Sequence, residues 1–315
     1  MQDSQRVAQL LKQNIGKVII GKSEAVELML ISLLCQGHVL IEDVPGVGKT
    51  TLASSLARSL DCSFKRIQFT PDITPSDVTG FSIVNFKTGE LEYRAGLVMS
   101  QIVLADEINR TSPKTQSSLL EVMEEGQVTV DGTTYLMPQP FIVLATQNPV
   151  DFVGTYPLPE AQLDRFFMCI SIGYPTAEEE TAILERFTAG AKPISELRPI
   201  CTAQDIASLQ AQVGNIYTSK EVRAYISLIA QASRKHNALQ LGISTRGAIF
   251  LLRAAQARAM LAGRDYVVPE DIQAMAQPVI KHRIILSAEA RMRNMTAERV
   301  LQSVIGSVQV PVKLA

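Results

Sequence analysis

Glu42-Asp43-Val44-Pro45-Gly46-Val47-Gly48-Lys49-Thr50-Thr51 lies between a short apolar run, His38-Val39-Leu40-Ile41, and a stretch where Leu52, Ala53, Leu56, Ala57 and Leu60 recur at helical spacing. The run before it is partly β-branched and continuous, as a buried parallel strand is. The stretch after it keeps one face apolar, as a packed helix does. A strand, a turn with two glycines and a helix together form a cradle for phosphate. Gly46 and Gly48 let the main chain curl so that successive N–H groups point inward, and the helix N-terminus adds its own partial positive charge. Lys49 is then placed to reach β- and γ-phosphates, and the Thr50 hydroxyl to ligate Mg²⁺. The general pattern G-x-x-x-x-G-K-[ST] expects glycine at position 43, where this chain carries Asp43. The alternative reading is an ordinary glycine-rich strand-to-helix turn.

Outward from this loop, short apolar runs recur at Phe64 to Phe69, Ile102 to Ala105, Phe141 to Thr146 and Phe167 to Ile172, with helical stretches between several of them. Such alternation predicts an α/β fold, a parallel sheet with helices on both faces. Upstream, residues from about 4 to 37 read as two helices separated by Val18-Ile19-Ile20-Gly21. In P-loop ATPases a turn of this kind packs beside the adenine ring, which makes Ile20 and Gly21 candidate nucleotide contacts; a buried helix connector is the plainer reading. Two segments interrupt the pattern. Alternating runs flank Lys87-Thr88-Gly89, and Asp131-Gly132 is a strong two-residue hairpin turn within Gln127 to Tyr135. After Tyr174-Pro175 strand signals stop. The spacing therefore predicts a nucleotide-binding domain over 1–174 and a helical domain over 175–315. A capping box at Thr218 to Glu221, a Ser244 cap and Pro269-Glu270-Asp271 mark helix starts there.

With 315 residues, the chain is long enough for about two domains that bury roughly three quarters of the unfolded surface. Composition is 46% hydrophobic and 19% charged, without a low-complexity tract, so the whole chain is expected to fold. Thirty basic against 31 acidic residues leave a net charge of −1, which gives no overall electrostatic footprint for nucleic acid or an anionic membrane and leaves only a local basic patch open. Four scattered cysteines and three scattered histidines show no zinc-ligand spacing, and reduced thiols are expected. The polar, amphipathic N-terminus does not read as a signal peptide, and the longest apolar window, Leu28 to Cys35, is far below the roughly 20 residues of a membrane span. A cytoplasmic location without membrane insertion is the resulting expectation.

Chemistry is written at four further places. Ile102-Val103-Leu104-Ala105-Asp106-Glu107 is an apolar strand ending in two carboxylates: Asp106 is suited to hold Mg²⁺ through its water shell and Glu107 to polarise an attacking water. Asn148, in Ala145-Thr146-Gln147-Asn148-Pro149, follows the next strand and is suited to hydrogen-bond that water and a γ-phosphate oxygen; a plain Asn-Pro turn is the alternative. Arg165, in Glu160 to Phe166, is a candidate finger reaching into a neighbouring subunit, or else a surface partner of Asp164 or Glu160. Arg246, in Ser244-Thr245-Arg246-Gly247, stands near a helix start, where it could read phosphates and report domain closure.

Taken together, EDVPGVGKT, DEINR followed by SPKTQSSLLEVMEEGQVTVDG, ATQNP and LPEAQLDRF resemble the AAA+ ATPases, and within them the MoxR family of the helix-2-insert clade. The resemblance covers about residues 15 to 280. Asp43 fits it, because the family is similar in carrying an acidic-x-Pro-Gly-x-Gly-Lys-Thr loop. The resemblance implies a P-loop AAA+ sheet domain with a C-terminal all-α lid, the hairpins at Lys87 to Gly89 and Asp131-Gly132 being its helix-2 insert and its insert before sensor 1. It implies ATP and Mg²⁺ as cofactors. Walker A spans Asp43, Val44, Pro45, Gly46, Val47, Gly48, Lys49, Thr50 and Thr51, and Walker B is Asp106 and Glu107. Asn148 matches sensor 1, Arg165 the arginine finger and Arg246 sensor 2, although Ser-Thr-Arg-Gly replaces the usual Ser-Pro-Arg-Ala. The implied function is chaperone-like remodelling or activation of a protein partner, in a homo-oligomeric ring expected to be a hexamer, with a von Willebrand A domain protein as a partner type. Two alternatives stay open: an AAA+ motor or metal-chelatase-type subunit, and a nucleotide-gated scaffold with negligible turnover. Intact Glu107 and Asn148 argue against the scaffold, and no Asn-Lys-x-Asp motif supports GTP.

Overall fold

The computed structural model describes residues 2–148, 154–189 and 193–311. Helices α1 (Gln2–Gly16) and α2 (Ser23–Leu34) lead into β1 (Val39–Glu42), the phosphate-loop turn and α3 (Lys49–Ser59). Next come β2 (Phe64–Gln68), the short α4 (Pro75–Thr79), a hairpin of β3 (Gly80–Val84) and β4 (Leu91–Ala95), β5 (Ile102–Asp106) and α5 (Pro113–Glu125). A second hairpin, β6 (Gln127–Val130) and β7 (Thr133–Leu136), precedes β8 (Ile142–Gln147), α6 (Glu160–Leu163) and β9 (Met168–Ile170).

The sheet has five strands in the order β2-β5-β8-β1-β9, and every pairing in it is parallel. Its faces can be read from alternation along the strands. Val39, Ile41, Ile102, Leu104, Ile142 and Leu144 enter the cluster that includes α1, α2 and α3 residues. Their neighbours Leu40, Val103, Ala105, Val143 and Ala145 enter the cluster of α5. Both faces are covered, as a parallel sheet requires. Because β1, β5 and β8 lie side by side, the phosphate loop, Asp106-Glu107 and Asn148 all emerge at one edge, the carboxyl ends of the strands, where open α/β sheets bind ligands.

Both hairpins stand outside this sheet. In the second, Asp131 (φ 49°) and Gly132 (φ 79°) are both left-handed, as a tight hairpin turn with Asp-Gly demands. The two are joined by Tyr93 stacked on Tyr135, ring centroids 3.9 Å apart.

Beyond β9 the chain is helical: α7 (Ala177–Thr188), α8 (Pro193–Glu196), α9 (Ala203–Val213), α10 (Lys220–Lys235), α11 (Thr245–Leu261), α12 (Pro269–Ile280), α13 (Ala288–Met292) and α14 (Ala297–Gly306). One feature differs from expectation. Leu239–Leu241 and Ile285–Leu286 form an antiparallel ribbon, β10–β11, within the lid. Strands of two or three residues are too short to show a period in sequence. The cap of α10 also moves by one residue: Ser219, not Thr218, accepts the first-turn N–H, of Val222. Ser244 caps α11 through the Gly247 N–H at 3.0 Å, as expected.

The cysteines are free thiols, and burial pushes Cys35 and Cys201 up to about 12 and Cys62 to about 11, which keeps them protonated. Among the described residues no helix is long and apolar enough to cross a membrane.

Candidate functional site

The turn after β1 is built as a cradle. Gly46 (φ 87°) and Gly48 (φ 88°) are left-handed, and open space surrounds the place where a side chain would project from each. Gly48 is also the residue before α3, so that helix begins without a side-chain cap and without an acid in its first turn. By contrast α5, α7, α9, α10 and α11 start on a Ser or Thr whose hydroxyl takes a first-turn N–H. The first N–H groups of α3 are therefore left for an anion, and the glycines leave room for one. This open turn fits a nucleotide's phosphates, and the oxygen donors Thr50 and Asp106 on its walls suit Mg²⁺.

A cavity of about 350 Å³ lies over the turn, walled by Pro45, Gly46, Gly48, Lys49, Thr50 and Thr51 on one side and by Arg66, Gln68, Asp106, Glu107 and Asn148 on the other. Lys49 Nζ donates to the Asp43 carbonyl at 2.8 Å. Burial lowers its pKa, opposed by the negative charges of Asp106, Asp43 and Glu107. The two carboxylates are finely held. Thr146 Oγ1 donates to Asp106 Oδ1 at 2.6 Å and accepts the Glu107 N–H at 2.9 Å. Arg66 Nη2 donates to Asp106 Oδ2 at 2.6 Å. Glu107 Oε2 accepts from Gln68 Nε2 at 2.9 Å and pairs with Arg110 Nε at 3.1 Å.

Asp43 departs from the expected role. Its carboxylate is buried and turned toward the chain after β9, where it accepts the Gly173 N–H at 2.9 Å, the Ile172 N–H and the Ser171 hydroxyl at 3.2 Å. The side chain clasps the root of the loop to the exit toward the lid. Asp43, Val44 and Val47 are absent from the walls of the phosphate cavity. Ile20 is half-buried, and Gly21 lines a separate cavity of about 490 Å³ between α2, β9, α7 and α12, with the Glu179 carboxylate packed over it.

The two remaining candidates meet each other and not this pocket. Arg165 Nε lies 3.3 Å from Glu124 Oε2, and Arg246 Nη2 lies 2.5 Å from Glu124 Oε1. Neither arginine is on the walls of the cavity over Lys49. Arg246, expected to read phosphates and report domain closure, is placed here on Glu124, outside that cavity. A second tie lies beside it, in which Asp164 accepts the Ser244 hydroxyl at 3.2 Å and the Arg283 Nε at 2.9 Å, pinning the start of α11 to the chain beside Arg165.

Residues 38–168 match the ATPase family associated with various cellular activities (AAA), and residues 231–304 match its lid domain. Chaperone MoxR1 of Mycobacterium tuberculosis is 39% identical over 94% of this chain and 80% of its own. The chain belongs to the MoxR family of AAA+ ATPases. Uncharacterized protein YeaC of Bacillus subtilis is 52% identical over 96% of this chain and 94% of its own. The crystal structure of an ATPase candidate from Cytophaga hutchinsonii superposes with a TM-score of 0.92 at 38% identity, covering 98% of this chain and 96% of that one. ATP hydrolysis is thus the activity of this MoxR-family chain.

Several residues of this MoxR-family site were not singled out from sequence. Arg66 and Gln68 alternate on β2, and the register sets Gln68 opposite Asp106. Thr146 occupies a buried position on β8 next to β5. Their signal was position along a strand adjoining the two carboxylates, which appears only once strand order is known. Glu124 had no local signal, because both its partners lie far along the chain.

Proposed function

We propose that this chain is the Mg²⁺-dependent ATPase subunit of a homo-oligomeric ring in which each pocket is completed by Arg165, together with Arg246, of the neighbouring subunit, and that turnover remodels a protein partner. In this reading Lys49 and the turn N–H groups hold the β- and γ-phosphates, while Gly21 and Ile20 stand toward the base. Thr50 and Asp106 would hold Mg²⁺, which would supply charge neutralisation at the phosphate oxygens. Glu107 takes the proton of the attacking water, and Asn148 orients that water. The observation that carries the proposal is the meeting of Arg165 and Arg246 on Glu124, apart from the Lys49 pocket of the same chain. Neither cation lines the chain's own phosphate pocket, whereas across an interface both can serve another's. A protein client is supported by the hairpins, where Phe86 at the tip of the first is 99% exposed and Leu91 and Leu136 are exposed as well.

The test mixes two inactive proteins. Arg165→Ala keeps its pocket and lacks its finger; Lys49→Ala keeps its finger and lacks its pocket. Separately each should turn over ATP about 10³-fold more slowly than the parent, and a mixture should recover a measurable share of the rate. No recovery at any mixing ratio refutes completion by the neighbour.

A further inference from the structure

Glu124 holds two guanidinium groups on one carboxylate, one on each oxygen. The three side chains come from three elements: Glu124 from the last turn of α5, Arg165 from the chain after α6, Arg246 from the first turn of α11. All remain open to solvent, at 36%, 34% and 41% exposure. Two features make this convergence unfavourable without the carboxylate. Arg246 is a cation at a helix N-terminus, where the helix dipole opposes it. The positive charge of Arg283 lies close by as well, and Arg246 helps burial lower the Arg283 pKa to about 10. The neighbouring Asp164 tie brings the two chain segments together, but its charge is spent on Arg283 and Ser244. Among the described residues, Glu124 alone forms ion pairs with these two arginines.

We propose that Glu124 is a positioning residue, which holds Arg165 and Arg246 side by side as one unit facing the γ-phosphate of the neighbouring subunit's nucleotide. This rests on the reading that the neighbour completes the pocket. Each arginine keeps unpaired N–H donors while bound to one carboxylate oxygen, so the pair can meet a phosphate without first leaving Glu124. Without Glu124 the two cations repel, and one of them swings off into water. An exposed pair of this kind contributes little to folding stability, so its loss separates positioning from structure.

The experiment places Glu124→Gln in one or other member of the complementing mixture. In the Lys49→Ala chain, which supplies the arginines, the substitution should lower the recovered kcat about tenfold with the KM for ATP changed less than about twofold. Placed in the Arg165→Ala chain, which supplies the pocket, it should lower recovery by less than about twofold. Glu124→Asp in the Lys49→Ala chain should restore part of the rate, and unfolding midpoints of the variants should stay with their parents. Equal losses from both placements, no loss from either, or a loss carried by KM alone overturns the role of Glu124 while leaving completion by the neighbour standing. Absence of recovery in the unsubstituted mixture overturns completion by the neighbour and this proposal with it.

Discussion

Asp43 stands where the general phosphate loop carries glycine, and its carboxylate explains the exchange. It takes N–H groups of Ile172 and Gly173 and the Ser171 hydroxyl, so the loop is anchored to the exit of β9. A glycine there would leave the buried Ile172 N–H and the half-buried Gly173 N–H without this acceptor. Asp43→Gly is therefore expected to lower unfolding free energy by about 2–3 kcal/mol, the scale of a lost charged acceptor, even though it restores the general motif. A denaturant titration that shows no loss would refute the clasp. Glu107 is a second case. It sits at φ 58°, a left-handed conformation unusual for a non-glycine residue, and Thr146 holds its N–H. That backbone turn is what points the carboxylate sideways into the pocket instead of continuing β5, and strain of this kind gathers at functional positions.

Strands β1, β5 and β8 position these residues, and their continuous apolar runs make them legible in sequence, as do the Asp131-Gly132 turn and the glycines of the cradle. The β10–β11 ribbon was not legible, because Leu239–Leu241 and Ile285–Leu286 are joined only by a fold that brings distant segments together. The same holds for Glu124, whose two partners lie 41 and 122 positions along the chain. His38, just before β1, shows what the approach to a strand can hide. Its Nδ1 accepts the Val143 N–H at 2.9 Å and its Nε2 donates to the Met123 carbonyl at 2.9 Å, so a neutral ring ties β1 to β8 and α5. Burial lowers its pKa from 6.5 to about 4, with the Met123 bond opposing. The folded state thus disfavours the proton relative to the unfolded chain. The stabilisation is complete above pH 6.5 and is lost as pH falls toward 4, by an amount on the order of 3 kcal/mol. His282, also lowered by burial, works in the same direction. Stability measured from pH 7 to pH 4 should fall less steeply in His38→Gln than in the parent; equal slopes would mean that His38 does not carry the effect.

At the scale of the whole molecule, the sheet domain and the lid share one apolar cluster. It runs from Val39, Leu52 and Ile102 through Met29 and Leu33 to Tyr225, Leu251, Ile272 and Val304 without a break. One cooperative unfolding transition is therefore expected for the chain, and the polar joint at its edge sets how firmly the lid is seated. Arg283 is the centre of that joint. It is nearly fully buried, donates to the carbonyls of Phe166, Phe167 and Val279, and has Asp164 as its ion-pair partner. Removing the carboxylate leaves a buried cation held by dipoles alone, which costs about 3 kcal/mol, whereas removing both charges does not. Asp164→Ala should lower the thermal midpoint while keeping a single transition, and adding Arg283→Met should return most of the loss. If the double variant is as unstable as the sum of its parts, the joint holds the lid by hydrogen bonds to the backbone just before β9 and not by the charge of Asp164.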